Sequence, residues 1–493
     1  MQTFSRKNTQ KVSFLLPEHL QTSNTAHSLY TPENLAWTLF VFNTYKHPPM
    51  KNLLIPALLM ATPTAFAQAD STSLEGNNAS RLEFIKLKGD VKKMVEDARP
   101  SEPGLAPTPK FAVHSTDNKF IMTIGGAVNI IGGADIGNNL YNADGGGIDF
   151  TTGAIPVPAV RDHKADWFIN PLTSYLDFTI VGFGGTKNAV TAYLKLGTNG
   201  MSSQIKLKRA YISWRGFSAG EMQTMLQDGD ACQPPTIDPE GPSGEVGTTT
   251  YQVSYKSPSI GGFQCAIGLE MPSYYSSNGI YRGHDYADYY NTQTISTDVE
   301  QMMPDIPAWI QYQFSEGNRL RLSGVFRRIS YRDFLADKRR HTVGGGIMLS
   351  GNVTPMEALS FCFQGIWGKG IANYIQDIAG KPLSYTPADG DPGKLIARPM
   401  MGLVVGATVK ATSKLSFNAM FSEARIWHVD EYATTTETST DNYKYALYAA
   451  ANCFYDITPY LSCGIEYVWG RRCTWDRTSA HDNRLQAQIQ FSF

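Results

Sequence analysis

The residues that could do enzymatic chemistry are few and scattered. Six cysteines, Cys232, Cys265, Cys362, Cys453, Cys463 and Cys473, include no C-x-x-C pair, so the spacing of a zinc site is missing. The loop histidines His114, His163, His284, His341, His428 and His481 stand in no H-E-x-x-H. There is no G-x-S-x-G and no phosphate loop. His284 beside Asp285 has no nucleophile in a recognisable motif. No enzyme activity, metal or cofactor is expected. A different chemistry stands out, that of fixed cations at every second position. Lys206 and Lys208 alternate with Ile205 and Leu207, and Arg319, Arg321 and Arg327 alternate with Leu320, Leu322 and Phe326. Lys195 and Arg484 occupy the same kind of position among Leu194, Leu196 and Leu485. Side chains along a strand point alternately to opposite faces, so these cations share a face opposite an apolar one. Such rows set a local electric field. Arg209 and Arg328 break the alternation and are expected at an interface or a bulge.

The elements that position these rows are short alternating stretches parted by Gly, Asn, Asp, Ser and Pro. The clearest is the last, "RLQAQIQFSF", in which Leu485, Ala487, Ile489, Phe491 and Phe493 form a wholly apolar face. Ile489, Phe491 and the terminal Phe493 resemble the assembly signal of outer-membrane barrel proteins, which implies the barrel-assembly machinery as a partner. The pattern predicts sixteen strands, near 120–131, 174–182, 189–196, 205–214, 217–226, 250–256, 262–271, 307–314, 319–332, 340–350, 358–368, 398–410, 414–427, 443–455, 460–472 and 483–493. The gaps between them alternate long and short. The long ones include 132–173, 227–249, 272–306, 369–397, 428–442 and 473–482, and two on the long side, 197–204 and 333–339, are compact. Long external loops and short periplasmic turns are the signature of a transmembrane barrel. A strand set in lipid must close, because no water is present to satisfy a free edge. Sixteen strands leave an aqueous lumen. The expectation is an all-β protein, a 16-stranded antiparallel transmembrane β-barrel over residues 120–493, with outer-membrane lipids around it. Charges on the lipid side cost about 2–4 kcal/mol at the midplane, so the cation rows are assigned to the lumen.

Upstream, "MKNLLIPALLMATPTAFAQ" over residues 50–68 has the charged, apolar and A-x-A order of a secretory signal peptide, with cleavage expected after Ala67. Residues 1–49 show no sustained period and read as a mis-called upstream extension. Residues 68–119 are too few for a globular plug. Phe84, Leu87, Val91, Met94 and Ala98 are spaced as a short helical seam, a periplasmic segment that could join three barrels or lie as a linker. The chain has 43 basic and 44 acidic residues, a balance that gives no reason to expect a nucleic-acid partner. Cys453 and Cys463 flank the turn at Thr458 and either face each other across two strands or face lipid as free thiols. The tyrosine-dense segment 273–290 suits an interfacial girdle or a sugar-binding loop.

Three segments carry a resemblance. "TIDPEGPSGEVG" (Thr236 to Gly247), "GVFRRISYRD" (Gly324 to Asp333) and "GKGIANYIQDI" (Gly368 to Ile378), with the heptad-like N-terminal segment, resemble the DcaP-like porins. The resemblance implies a homotrimer in the outer membrane of a Gram-negative bacterium, open to small hydrophilic, anionic solutes. It also implies that residues 227–249 form a third external loop that folds into the lumen and narrows it. The prolines Pro234, Pro235, Pro239 and Pro242 stiffen that segment, and its acids Asp228, Asp230, Asp238, Glu240 and Glu245 are expected to face the basic wall of Lys195, Lys206, Lys208, Arg319, Arg321, Arg327 and Arg484. Where family members often carry an arginine shortly after the motif, this chain has Thr248, Thr249 and Thr250, which argues for weaker anion selectivity. Two other readings are a barrel enzyme of the lipase or protease type and a periplasmic β-protein that binds glycans.

Overall fold

The computed structural model describes residues 83–84, 92, 95–96, 99–100, 111–115, 119–138, 140–141, 143, 147–159, 167–171, 173–184, 186–198, 204–229, 231, 233–272, 295–299, 303–333, 336–380, 383–388, 391–427 and 443–493. Alternation of apolar and polar residues decides the architecture. The barrel strands are β1 (Phe120–Asp135), β2 (Tyr175–Gly182, with an upper piece Trp167–Asn170), β3 (Val190–Gly197), β4 (Lys206–Trp214), β5 (Phe217–Gln223), β6 (Thr249–Lys256), β7 (Phe263–Pro272) and β8 (Ile306–Ser315, with an upper piece Ile295–Val299). They continue as β9 (Asn318–Asp333), β10 (Lys338–Met356), β11 (Leu359–Lys369), β12 (Pro399–Lys410), β13 (Leu415–Ile426), β14 (Tyr443–Thr458), β15 (Leu461–Thr474) and β16 (Ser479–Ser492). Each pairs antiparallel with its chain neighbours, and β16 closes on β1 from Ser492↔Ala127 to Arg484↔Asp135. The barrel is thus closed, with sixteen strands, as the gap pattern predicts.

The outward face is apolar in every quarter, as in Leu176 and Ile180 of β2, Ile267 and Leu269 of β7, Leu320 and Leu322 of β9 and Leu485 and Ile489 of β16, all exposed. In water so much exposed apolar surface would drive aggregation, but in lipid it is the solvated side. Rings gather where strands meet the short turns. Phe120 and Phe183 lie 5.5 Å apart, Phe217 and Tyr255 4.8 Å, and Phe263 and Tyr312 4.5 Å. These are the amphipathic rings of an interfacial girdle. Cys453 and Cys463 are both free thiols on the outward face, and their register is offset by two: Cys453 stands opposite Ile465 and Cys463 opposite Tyr455. A disulfide between them is therefore not formed.

The chain's end is built into the wall. Phe493 exchanges backbone hydrogen bonds of 3.0 and 3.1 Å with Gly126, and its ring packs edge-on against Phe111 at 6.2 Å. Phe111–His114 pairs with Ile121–Ile124 of β1, continuing the line of β16 downward, and also with Glu83–Phe84. Phe84 is therefore in a strand and does not open the expected helical seam. Lys92, Val95 and Glu96 are helical, while Leu87, Val91, Met94 and Ala98 lie outside the described residues. The segments 1–49, 50–67 and 273–290 also lie outside them. Phe493→Ser is expected to reduce heat-modifiable barrel in outer-membrane fractions several-fold at unchanged synthesis, as read by quantitative blotting. Equal amounts of barrel would show that the terminal ring is dispensable.

Candidate functional site

The lumen is not an open tube. Among the described residues, three loops turn inward: L1 (136–138, 140–141, 143 and 147–159), L3 (224–229, 231 and 233–248) and L6 (370–380, 383–388 and 391–398). L6 carries Ile371, Tyr374, Ile375 and Ile378 into a buried cluster with Leu226 and Val246 of L3 and with Met348, Ile366, Met400 and Ala424 of the wall. L1 places Leu140, Phe150 and Ile155 against Met420, Tyr448, Ala450 and Val468. Asp377 of L6 ties the loops together. Its carboxylate accepts from the Thr152 hydroxyl at 2.8 Å, the Gly153 amide at 2.6 Å and the Tyr443 hydroxyl at 2.6 Å, and its amide donates to the Ser243 carbonyl. The "EGPSG" segment lies within L3. The inward folding of L1 and L6 does not appear in the sequence reading, although apolar residues such as Ile371, Ile375 and Ile378 in a loop were a signal for it.

L3 runs along the wall from β9 to β15. At its start Asp228 is bound by Arg319, lies 3.6 Å from Arg321 and accepts from the Ser350 hydroxyl at 2.8 Å. In its middle, Gly244 sits so close to the wall that a Cβ there would fall 2.2 Å from the Glu423 carbonyl and 2.6 Å from the Leu403 amide. Gly406 of β12 leaves room in the same way for the Pro234 ring. These glycines are needed for the close approach of one backbone to another. Near the tip, Glu466 of β15 accepts from the Ile237 amide at 3.1 Å, the Asp238 amide at 3.0 Å, the Thr236 hydroxyl at 2.7 Å, Asn452 at 2.6 Å and Gln486 at 2.8 Å. Asp238 accepts in turn from the Phe150 amide at 3.0 Å and the Tyr448 hydroxyl at 3.1 Å.

The open space left beside these loops is a cavity of about 680 Å³ against β1, β3, β4 and β14–β16. Lys195, Lys208 and Arg209 stand on one side of it, and Asp149 of L1 with Asp238 and Glu240 of L3 on another. Asn129, Gln488 and Gln490 line it as neutral polar groups. Lys195 and Arg209 are cross-strand partners, and the register slips by one residue at Lys208. That bulge is how two successive basic residues, Lys208 and Arg209, border the same cavity. Lys195 lies 4.6 Å over the Tyr175 ring, and Arg209 donates to the Thr249 hydroxyl at 2.8 Å. Burial pushes the Asp149 carboxyl up to about 6, against the pull of Arg484 and Lys208. Burial also raises Asp238 to about 7, with the nearby Glu466 adding to the rise. Glu240 is raised by burial and then by Asp149 and Asp238.

The expected basic wall divides into two groups. Lys195 and Lys208 border the cavity, joined by Arg209. Lys206 is exposed and outside its lining. Arg319 and Arg321 hold Asp228, and Arg321 also donates to Gln311 at 2.7 Å and lies 4.4 Å over Trp309. Arg327 is fully buried against Asp305 at 2.9 Å and the Gly370 carbonyl. Arg484 is fully buried too, bidentate to Asp135 at 2.5 and 3.1 Å and donating to the Ile148 and Gly147 carbonyls. Of these cations, Arg484 braces L1 and Arg327 braces L6. Of the loop acids, Asp238 and Glu240 border the cavity. Asp228 and Glu245 are turned to partners, Glu245 accepting from Gln227 at 3.1 Å, and Asp230 lies outside the described residues.

The sequence profile of a porin subfamily matches residues 172–491. The chain belongs to this porin subfamily. It is an outer-membrane porin, a channel across the membrane through the lumen just described. Its fold is similar to that of the outer membrane channel DcaP of Acinetobacter baumannii, with a TM-score of 0.60 at 16% identity over 77% of this chain and 99% of that one. Looser likeness, with TM-scores of 0.46, extends to the trimer form of OmpT from Vibrio cholerae (10% identity, 76% and 99% covered) and to OmpF of Salmonella typhi in complex with daunomycin (9% identity, 76% and 99% covered). No curated protein matches the chain. The resemblance to DcaP-like porins drawn from the loop segments agrees with the profile and with the DcaP fold.

Proposed function

We propose that this porin passes small hydrophilic solutes by passive diffusion with a mild preference for anions, without catalysis or cofactor. It works as a homotrimer of chains that begin after Ala67 and are placed by the barrel-assembly machinery. The observation that carries the preference is the cavity in which Lys195, Lys208 and Arg209 face Asp149, Asp238 and Glu240. All three acids are raised by burial, which lessens the negative charge of the acidic side near neutral pH. In a narrow channel the effective dielectric falls below that of water, and each fixed charge acts more strongly on a passing ion. Lys195→Gln, Lys208→Gln and Arg209→Gln together are expected to move the reversal potential in a salt gradient towards cations while the pore stays open. A triple variant with the wild-type reversal potential would overturn the assignment. The preference should fade as salt rises, since screening reaches about 10 Å at 0.1 M.

A further inference from the structure

We propose that Arg99, from the segment ahead of the barrel, is a specificity-determining residue of the pore. Asp177 of β2 is inward-facing, between outward Leu176 and Phe178, and is 1% exposed. The Arg99 guanidinium lies on it, with Nη2 at 2.5 Å and Nε at 3.2 Å from the same carboxylate oxygen, Oδ2. The Tyr193 hydroxyl donates to that oxygen as well, at 3.2 Å. The Arg99 side chain is itself only 7% exposed, and Val95, four residues earlier, is fully buried. The segment therefore does not end at the periplasmic rim. It reaches the inner wall, and Arg99 is part of the lumen.

The position matters because of register. Asp177 is the cross-strand partner of Lys195, one of the three cations that border the cavity. Residues in that relation have Cβ atoms about 5 Å apart, close enough for an ion pair. With Arg99 docked, Arg99 and Tyr193 take Oδ2 and the guanidinium balances the carboxylate's charge, while Oδ1 is buried with no hydrogen-bond partner among the described residues and the Lys195 ammonium lies over the Tyr175 ring. Without Arg99, a buried carboxylate would lose its counter-charge, a costly state that a nearby cation relieves. Lys195 is the cation in register to do so. Arg99 thus acts at a distance on the charge that solutes meet, by keeping Asp177 away from Lys195.

The inference rests on the reading of Lys195 as a selectivity residue, and the test separates the two. Reversal potentials of the purified full-length protein in planar bilayers are compared for wild type, Arg99→Gln, Arg99→Lys, Arg99→Gln with Asp177→Asn, and Lys92→Gln. Lys92 lies on the same segment but is exposed and paired with Glu96 at 3.6 Å, so its removal deletes one charge away from the wall. Arg99→Gln is expected to shift the potential towards cations, Arg99→Lys to shift it less, and the double variant to return it near wild type. Lys92→Gln should leave it unchanged. An equal shift from Lys92→Gln would assign the effect to the segment's overall charge and overturn the inference, as would an unmoved Arg99→Gln. If the wild type proves cation-selective, the anion reading fails while the direction of the Arg99→Gln shift still decides this one. Heat-modifiable migration on gels confirms that each variant compared is folded.

Discussion

Replacing Glu466 with alanine is expected to release the tip of L3 and raise the single-channel conductance well above wild type, with a noisier open level. Five donors converge on this one buried carboxylate, three of them from Thr236, Ile237 and Asp238 in the loop and two from Asn452 and Gln486 in the wall. Hydrogen bonds to a charged group contribute about 1.5–3 kcal/mol each, and a donor left buried without a partner adds a penalty of its own. Loss of the carboxylate removes several such terms at once from the tip. What remains is the Asp238 carboxylate on the Phe150 amide and Tyr448 hydroxyl, the Asn452 amide on the Pro235 carbonyl at 2.9 Å, and the packing of Ile237 with Ile131, Ile148 and Phe168. Glu466→Gln is the finer probe. It keeps the shape and one acceptor but turns one oxygen into a donor that faces either the Ile237 amide, on Oε2, or the Asp238 amide, on Oε1, so it should widen the pore less than alanine does. The measurement is conductance in planar bilayers together with the rate of liposome swelling in neutral sugars of increasing size. A Glu466→Ala channel that keeps the wild-type size cut-off would show that L3 is held by its apolar contacts alone.

The wall was legible in the sequence and the filling of the lumen only in part. Period-two alternation is a local property, so strands such as Leu415–Ile426 could be placed from their own residues, nearly to the ends. The closure followed from loop lengths, because a membrane barrel leaves no other arrangement. Arg319 and Arg321 could be read as alternating with Leu320 and Leu322, yet sequence spacing says nothing of what a distant loop brings to them. Their partner Asp228 is supplied by L3. Arg484 shows the same limit, for its alternation with Leu485 is equally consistent with a wet wall and with the buried bracket it forms on Asp135. Arg209 was the opposite case. It broke the pattern, and the one-residue slip at Lys208 is the reason it borders the cavity. Arg99 could not have been found at all, since nothing in a short amphipathic segment names the wall it docks on.

Acidification is expected to increase anion preference steeply, and the argument is one of sign. The acids lining the cavity are Asp456 of β14 and three raised by burial: Asp149, pushed up to about 6, Asp238, pushed up to about 7, and Glu240, raised further by those two neighbours. A carboxyl whose pKa is raised is neutral below that value and charged above it. As pH falls from about 8 to about 5, Asp238 and then Asp149 take up protons and lose their negative charge. The groups facing them are the bases Lys195, Lys208 and Arg209, and a base takes up no negative charge on acidification. Among the described residues no histidine lines the cavity, so no competing titration lies in this window. The space therefore passes from a field balanced between two walls to one dominated by cations. Its reversal potential in dilute salt should move towards anions, with most of the change between about pH 8 and about pH 5. Asp149→Asn with Asp238→Asn should hold the preference close to the wild-type channel's low-pH value over this range, because Glu240 is then the only one of the raised acids left. A wild-type reversal potential that stays flat over this range, or that moves towards cations, would place the charges that passing ions meet elsewhere in the lumen.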